Sequence, residues 1–288
     1  MWSEVFNSFL SIALELTFLF IGISFLINLL QVFIPYQKLE RLIEKSNPLI
    51  SAFVALGLAF ITPFCSCSTI PIVVNLLKKK VRFGIVMIFL FSSPVLDPTI
   101  ITLMTAFIGI KVTVAYTVII TILSVIIGFT LEKLGFQGQI KNVIVKGYHE
   151  QNIKFEIKAT LVETVQLIKK VYPYLLISAF IGALINGFVP TSWISSILGG
   201  DKWYLVPIAT IIGIPLYIRL STMIPISQIL IAKGVALGPV MALMISSAGA
   251  SLPEITLLNS IFKKKLVFAF VGSVFMMSII SGFLFYII

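Results

Sequence analysis

The sequence comprises 288 residues, of which 59% are hydrophobic and only 11% are charged. Soluble domains carry roughly 25% charged residues, so the composition excludes a soluble globular protein. Apolar runs long enough to cross a bilayer recur along the chain, which predicts an all-α, polytopic membrane protein. The basic residues behind the net charge of +10 lie between these runs, and not along one stripe. They therefore indicate membrane topology and no nucleic-acid partner.

The first half begins with an apolar span at 5–34, followed by two shorter apolar segments at 49–62 and 68–77 around a polar tip at 63–71. Each segment would be about 15–21 Å long as a helix, shorter than the roughly 30 Å hydrocarbon core. The pair at about 49–77 therefore predicts either a re-entrant hairpin or one kinked span.

Two more spans, at 83–108 and 112–131, complete a first membrane repeat at 1–134. The polar segment 135–157 predicts a cytoplasmic linker, and a second membrane repeat follows at 158–288. Its predicted elements are an amphipathic interfacial helix ending near 170, spans at 171–189, 235–258 and 266–288, and a hairpin at about 203–232.

Short matches between the halves indicate an internal duplication. Ile70-Pro71-Ile72 recurs as Ile224-Pro225-Ile226, and Ser92-Ser93 recurs as Ser246-Ser247, both 154 residues later. A shared proline and a shared serine pair are less easily explained by chance than matches among apolar residues.

The distribution of basic residues favours two hairpins over two kinked spans. With hairpins, the basic clusters near 38–45, 78–82, 133–170 and 263–265 all lie on the cytoplasmic side. Of the 21 basic residues, those left elsewhere are Lys111, Lys202 and Lys233 outside and Arg219 at the second tip. The positive-inside rule thus predicts two inverted-topology repeats, each with three full spans plus one re-entrant hairpin, and both termini outside the cytoplasm. This architecture is typical of secondary transporters with a site at the midplane.

The first tip holds both cysteines of the chain, Cys65 and Cys67, together with Ser66, Ser68 and Thr69. Thiolates are soft ligands for metals and exchange with disulfides, so the pair predicts a substrate site with soft-ligand or redox chemistry. The alternative is that both cysteines are small apolar packing residues. No metal is assigned to them.

The second tip, at 215–222, holds Arg219 beside Ser221 and Thr222. A cation in an apolar segment is costly and normally paired. Arg219 is therefore interpreted either as a contact or gate for an anionic solute or as a member of a structural ion pair.

Three acidic side chains lie in apolar segments and are candidate partners of that arginine: Asp97, Glu254 and Glu15. Intramembrane carboxylates commonly carry protons in transporters, which predicts a coupling or gating role. Asp97 and Glu254 could instead cap helix ends, and Glu15 could reach the interface.

The segments 63–71 and 92–98, with Gly84 between them, resemble the motifs of a broad family of predicted permeases that includes the ArsP-type organoarsenical efflux permeases and the YraQ-type proteins. The segments 213–217 and 232–234 resemble that family's second-half motif. The resemblance implies a multi-pass cell-membrane permease for a thiol-reactive or metalloid solute. Many relatives carry a cysteine where this chain has Arg219, so a thiol pair opposite a cation predicts an anionic or sulfur-containing solute here.

The leading hypothesis is a secondary permease, not an enzyme, that uses no cofactor and whose partners are the lipid bilayer, a small solute and protons. No ATP-binding, dinucleotide or nucleophile-elbow motif is found. The alternatives are a membrane thiol-disulfide oxidoreductase that uses the cysteine pair and a non-transporting accessory subunit. The oligomeric state stays open.

Overall fold

The described part of the computed structural model is built from helices. It comprises residues 14, 48–61, 69, 72–74, 76–77, 81–141, 202–215, 220–232 and 234–287. The helices are α1 (Pro48–Ile61), α2 (Phe83–Ser92), α3 (Pro98–Phe107), α4 (Ile110–Lys133), α5 (Leu205–Gly213), α6 (Leu220–Ala232), α7 (Leu237–Gly249), α8 (Leu252–Ile261) and α9 (Lys264–Leu284). Within these ranges the only β pairing is an isolated bridge between Ile140 and Phe262, so the predicted all-α class is confirmed.

Three stretches of the described chain are long and apolar enough to cross a membrane. They are α4 with 24 residues, the combined α7–α8 stretch with 25 residues, and α9 with 21 residues. At 1.5 Å per residue the continuous helices α4 and α9 are each about 30 Å long or more, which matches the hydrocarbon core of a bilayer.

The centre of the molecule is formed by α2 and α7. Every side chain of α2 is buried, and so is nearly every side chain of α7. A helix that is apolar all round is stable only where neighbours cover all its faces. Here α2 packs against α1 and α4, and α7 packs against α5, α6 and α9.

The long helix α4 has two different faces. Its exposed face carries large apolar side chains at every fourth position: Ile110, Val114, Val118, Ile122 and Ile126. Its buried face includes Thr113, Tyr116, Ser124 and Gly128. Helices in membranes typically turn small and hydroxyl-bearing residues toward their neighbours and apolar side chains toward lipid. This pattern indicates that α4 lies at the edge of the helix bundle, with one face toward lipid.

Two glycine pairs set the closest helix contacts, one in each half. A β carbon at Gly128 of α4 would lie 2.8 Å from the carbonyl oxygen of Gly84 in α2. A β carbon at Gly238 of α7 would lie 2.7 Å from the carbonyl oxygen of Gly282 in α9. Such close backbone approach requires glycine on both helices.

The helix bounds repeat with the offset that relates the sequence matches. Helices α2, α3 and α4 start at residues 83, 98 and 110. Helices α7, α8 and α9 start at residues 237, 252 and 264, in each case 154 residues later. The two glycine pairs are related by the same shift. Helices α2, α3 and α4 of the first half therefore correspond to α7, α8 and α9 of the second half.

The predicted spans at 83–108 and 235–258 are each divided into two helices, a division that the sequence analysis did not predict. The stretch 83–108 forms α2 and α3, with a non-helical segment from Ser93 to Asp97. The stretch 235–258 forms α7 and most of α8, separated by Ala250 and Ser251. Proline accounts for the first break, because Pro94 has no N–H to continue α2.

Contacts between the halves occur at the rings of Phe91 in α2 and Phe270 in α9, which stack with centroids 4.6 Å apart. A second contact, the 139–263 clasp, pairs the backbone of residues 139–141 with that of 261–263. The N–H of Lys141 donates to the Ile261 carbonyl (3.1 Å), and the N–H of Lys263 donates to the Gln139 carbonyl (2.8 Å). The end of the first half thus lies beside the start of α9.

Candidate functional site

The break between α2 and α3 is held in one conformation by hydrogen bonds from two sides. The N–H groups of Val95 and Leu96 both donate to the Ser92 carbonyl, at 3.1 and 2.8 Å. From α4, the buried hydroxyl of Tyr116 donates to the Val95 carbonyl at 3.0 Å. Broken helices are tolerated at membrane depth where protein buries them or where they line a cavity, and residues 92–96 at this break are buried.

Asp97 is the N-cap of α3. Its Oδ1 accepts a hydrogen bond from the Thr99 N–H at 2.8 Å, and Pro98 occupies the first helical position, where its missing N–H costs nothing. The structure thus shows that Asp97 caps a helix end, which was one of the two interpretations of this residue.

The predicted first hairpin meets this break through a pair of hydroxyl groups. Thr69 Oγ1 and Ser93 Oγ lie 3.1 Å apart, and both side chains are fully buried. Thr69 is the described residue nearest to the cysteine pair, two positions after Cys67. One predicted substrate residue is thus placed against the start of the break in α2–α3.

The second break differs from the first in its polar groups. Ser251, which follows Asp97 by 154 residues, is the N-cap of α8 but makes no side-chain capping hydrogen bond. Glu254 lies three residues further on, in the first turn of α8, and is 3% exposed. Asp97 and Glu254 are therefore not equivalent positions, although both lie at helix N-termini, where the helix dipole stabilises negative charge.

Helix α6, which belongs to the predicted second hairpin, contacts α3 across the halves. As the later arm of that hairpin, it also packs against α7. Ser221 and Thr222 lie in its first turn, and Arg219 immediately precedes the helix. The first-half break is therefore flanked by an arm of each predicted hairpin.

Several predicted site residues lie outside the described residues: Glu15, Cys65, Ser66, Cys67, Ser68 and Arg219. Among the residues that the structure does describe, no group of three or more His, Cys, Asp or Glu side chains could hold a metal ion. The described polar groups near the first break are hydroxyls and carbonyls, together with the Asp97 carboxylate.

Sequence reasoning missed the part played by Tyr116. The hydroxyl of a tyrosine within an apolar span needs a hydrogen-bond partner. This need was the one feature of the sequence that pointed to a structural role for Tyr116. The partner is a backbone carbonyl 21 residues earlier, which no side-chain pattern reveals.

It also missed an ion pair at the ends of α2 and α4. Arg82 Nε donates to Glu132 Oε1 at 2.7 Å, with Arg82 half exposed and its guanidinium 5.9 Å from the centre of the Phe129 ring. Arg82 had been interpreted only as a topology determinant. The pair fixes how the two helices end relative to each other.

Comparison with known families identifies the chain. The family model ArsP_1, described as a predicted permease, matches residues 1–287. The chain belongs to this family of predicted permeases. The resemblance drawn from the two tips and the Ser-Ser-Pro segment is thereby confirmed, and this ArsP_1 member is a membrane permease by family.

Similar proteins cover different shares of this ArsP_1 member. A UPF0718 protein from Methanocaldococcus jannaschii is 31% identical over 159 residues, 54% of this chain and 43% of that relative. A protein from Streptococcus mutans, named a putative two-component membrane permease complex subunit, is 25% identical over 92% of this chain and 89% of its own length. The UPF0718 protein YcgR from Bacillus subtilis is 26% identical over 90% of this chain and 89% of its own length. No solved structure matches the chain.

Proposed function

We propose that this ArsP_1 member is a secondary permease for a small solute that is thiol-reactive, a metalloid, or anionic and sulfur-containing. The observation that carries the proposal is the paired breaks in the central helices, with Thr69 of the first hairpin seated on Ser93. Secondary transporters bind solutes and ions where discontinuous helices expose backbone and hydroxyl groups near the midplane.

The proposed architecture is two inverted repeats, each with a re-entrant hairpin, and alternating access around the two facing tips. The repeat of helix bounds at one offset supports the duplication. The 139–263 clasp supports the orientation, because it brings two basic segments predicted to be cytoplasmic to the same end of the molecule. In this arrangement the linker at 135–157 is cytoplasmic and both termini lie outside.

The proposed solute contacts are the thiols and hydroxyls of the first tip and the cation and hydroxyls of the second: Cys65, Ser66, Cys67, Ser68, Thr69, Arg219, Ser221 and Thr222. Protons would be coupled through the carboxylates of Asp97, Glu254 and Glu15. Glu254 is the described acid best suited to this role, because a nearly buried carboxylate changes its interactions strongly when it gains a proton.

Thiol labelling in intact cells tests this proposal, because Cys65 and Cys67 are the only cysteines in the chain. Permeant and impermeant maleimides would be applied with arsenite, an organoarsenical, sulfite or thiosulfate as protectant. We expect one solute class to slow labelling, and Cys65→Ser and Cys67→Ser each to weaken that protection. Labelling that none of these solutes alters would count against a solute site at the first tip.

A second candidate is that the chain is one subunit of a two-component permease complex. It is favoured by the name of the Streptococcus mutans relative, which aligns with 92% of this chain. Reconstitution of the purified chain alone into liposomes separates the two candidates. Uptake of the protecting solute by the single chain would refute the need for a second subunit, whereas uptake only after addition of a co-purifying membrane protein would support it.

A further inference from the structure

The serine pairs of the two halves occupy equivalent positions but have different hydrogen bonds. In α7, the Ser246 hydroxyl donates to the Leu243 carbonyl at 3.2 Å, and the Ser247 hydroxyl donates to the Met244 carbonyl at 3.1 Å. Both are thus satisfied within their own helix. In the first half, neither Ser92 nor Ser93 bonds back to α2 in this way.

The hydroxyl of Ser92 is fully buried and has no hydrogen-bond partner among the residues that the structure describes. The neighbouring Ser93 hydroxyl faces Thr69 Oγ1 and not its own helix. A buried hydroxyl without a partner is unfavourable, so each such group in a native protein calls for a ligand, an ion or a water.

Carbonyl groups at the same helix end also lack their usual donors. Residue 94 is proline, so the Leu90 carbonyl cannot receive the N–H four residues later. The N–H of Val95 donates to the Ser92 carbonyl, which leaves the Phe91 carbonyl without a described backbone donor. In α7 the corresponding turn continues, because residue 248 is alanine and the helix extends to Gly249.

We propose that the C-terminal end of α2 binds a monovalent cation, with Na⁺ as the ion of matching chemistry. Its ligands are the hydroxyl oxygens of Thr69, Ser92 and Ser93 and the carbonyl oxygens of Leu90 and Phe91. The two carbonyls and the two serines belong to the last turn of α2 and its C-cap, and Thr69 Oγ1 lies 3.1 Å from Ser93 Oγ.

The charge and hardness of these ligands select the ion class. Oxygen ligands suit hard cations, and the absence of a carboxylate among these ligands disfavours a divalent ion. The C-terminal end of a helix carries a partial negative charge that stabilises a cation there. The hydrogen bonds that hold the break, including the one from Tyr116, keep the oxygens in place before the ion arrives.

The test measures Na⁺ binding by the full chain purified in detergent, without solute. The thermal midpoint is recorded during a NaCl titration at constant ionic strength with choline chloride, and ²²Na⁺ binding is measured by equilibrium dialysis. Ser92→Ala and Ser93→Ala are compared with Ser246→Ala and Ser247→Ala, which change the equivalent serines of the other half.

We expect Na⁺ to raise the midpoint saturably, and each first-half variant to weaken Na⁺ affinity by about tenfold or more. The second-half variants should bind Na⁺ like the wild type, which controls for general loss of stability. Absence of saturable ²²Na⁺ binding, or an equal loss in both serine pairs, would overturn the proposal. Because no solute is present, either result leaves the permease proposal to its own labelling test.

Discussion

Replacement of Gly128 by alanine tests whether the glycine pairs fix the helix spacing. The added β carbon would lie 2.8 Å from the Gly84 carbonyl oxygen and 3.1 Å from the Ile88 nitrogen, both backbone atoms that cannot turn away. Overpacking of this kind costs about 1–3 kcal/mol, and the better helix propensity of alanine returns up to about 1 kcal/mol. With the full propensity gain we expect a net loss of about 0–2 kcal/mol relative to the wild type, and a deficit of about 1–3 kcal/mol relative to a glycine-to-alanine change in an uncrowded helix position.

The assay is thermal unfolding in detergent, followed by tryptophan fluorescence or by thiol exposure at the cysteine pair. A deficit of this size should lower the midpoint by several degrees, since about 1 kcal/mol corresponds to roughly 2–4 °C in chains of this size. Gly272→Ala is the matched control, because it lies in α9 with no described atom within 4 Å of the added carbon. A Gly128→Ala variant at least as stable as Gly272→Ala would refute the close-packing argument.

Three further substitutions probe the first half. Tyr116→Phe leaves the buried Val95 carbonyl without its donor and should cost about 1–3 kcal/mol, read as a lower thermal midpoint. Glu132→Gln removes a partly exposed ion pair with Arg82 and should cost less than about 1 kcal/mol, with the difference from wild type shrinking in high salt. Pro94→Ala supplies a backbone N–H to the end of α2 and should weaken Na⁺ binding although both serines remain; unchanged binding would argue against carbonyl ligands.

Some helix ends could be predicted from the sequence because they are bounded by residues with clear local effects. The predicted apolar segment at 49–62 is found as α1, within one residue at each end. The segment at about 203–232 contains α5 and α6. Proline, glycine and polar clusters mark these ends in any environment.

The breaks within the predicted spans 83–108 and 235–258 were not predicted, because hydropathy stays high across both. The first break is caused by local hydrogen bonding: Pro94 lacks an N–H, and the Asp97 carboxylate caps α3. The contacts of Tyr116 and Glu132 join residues 21 and 50 positions apart, and no periodicity encodes such a pairing.

The 139–263 clasp has a consequence for how the sequence can vary there. Its two hydrogen bonds are donated by the backbone N–H groups of Lys141 and Lys263 and accepted by backbone carbonyls, so neither depends on the identity of the lysines. Proline at either position would remove one of these bonds, because it has no N–H to donate. The lysine side chains add two bonds of their own, since Lys141 Nζ donates to the Asn259 carbonyl and Lys263 Nζ donates to the Gly138 carbonyl. A change of either lysine to an apolar residue would therefore keep the backbone part of the clasp and remove its side-chain part.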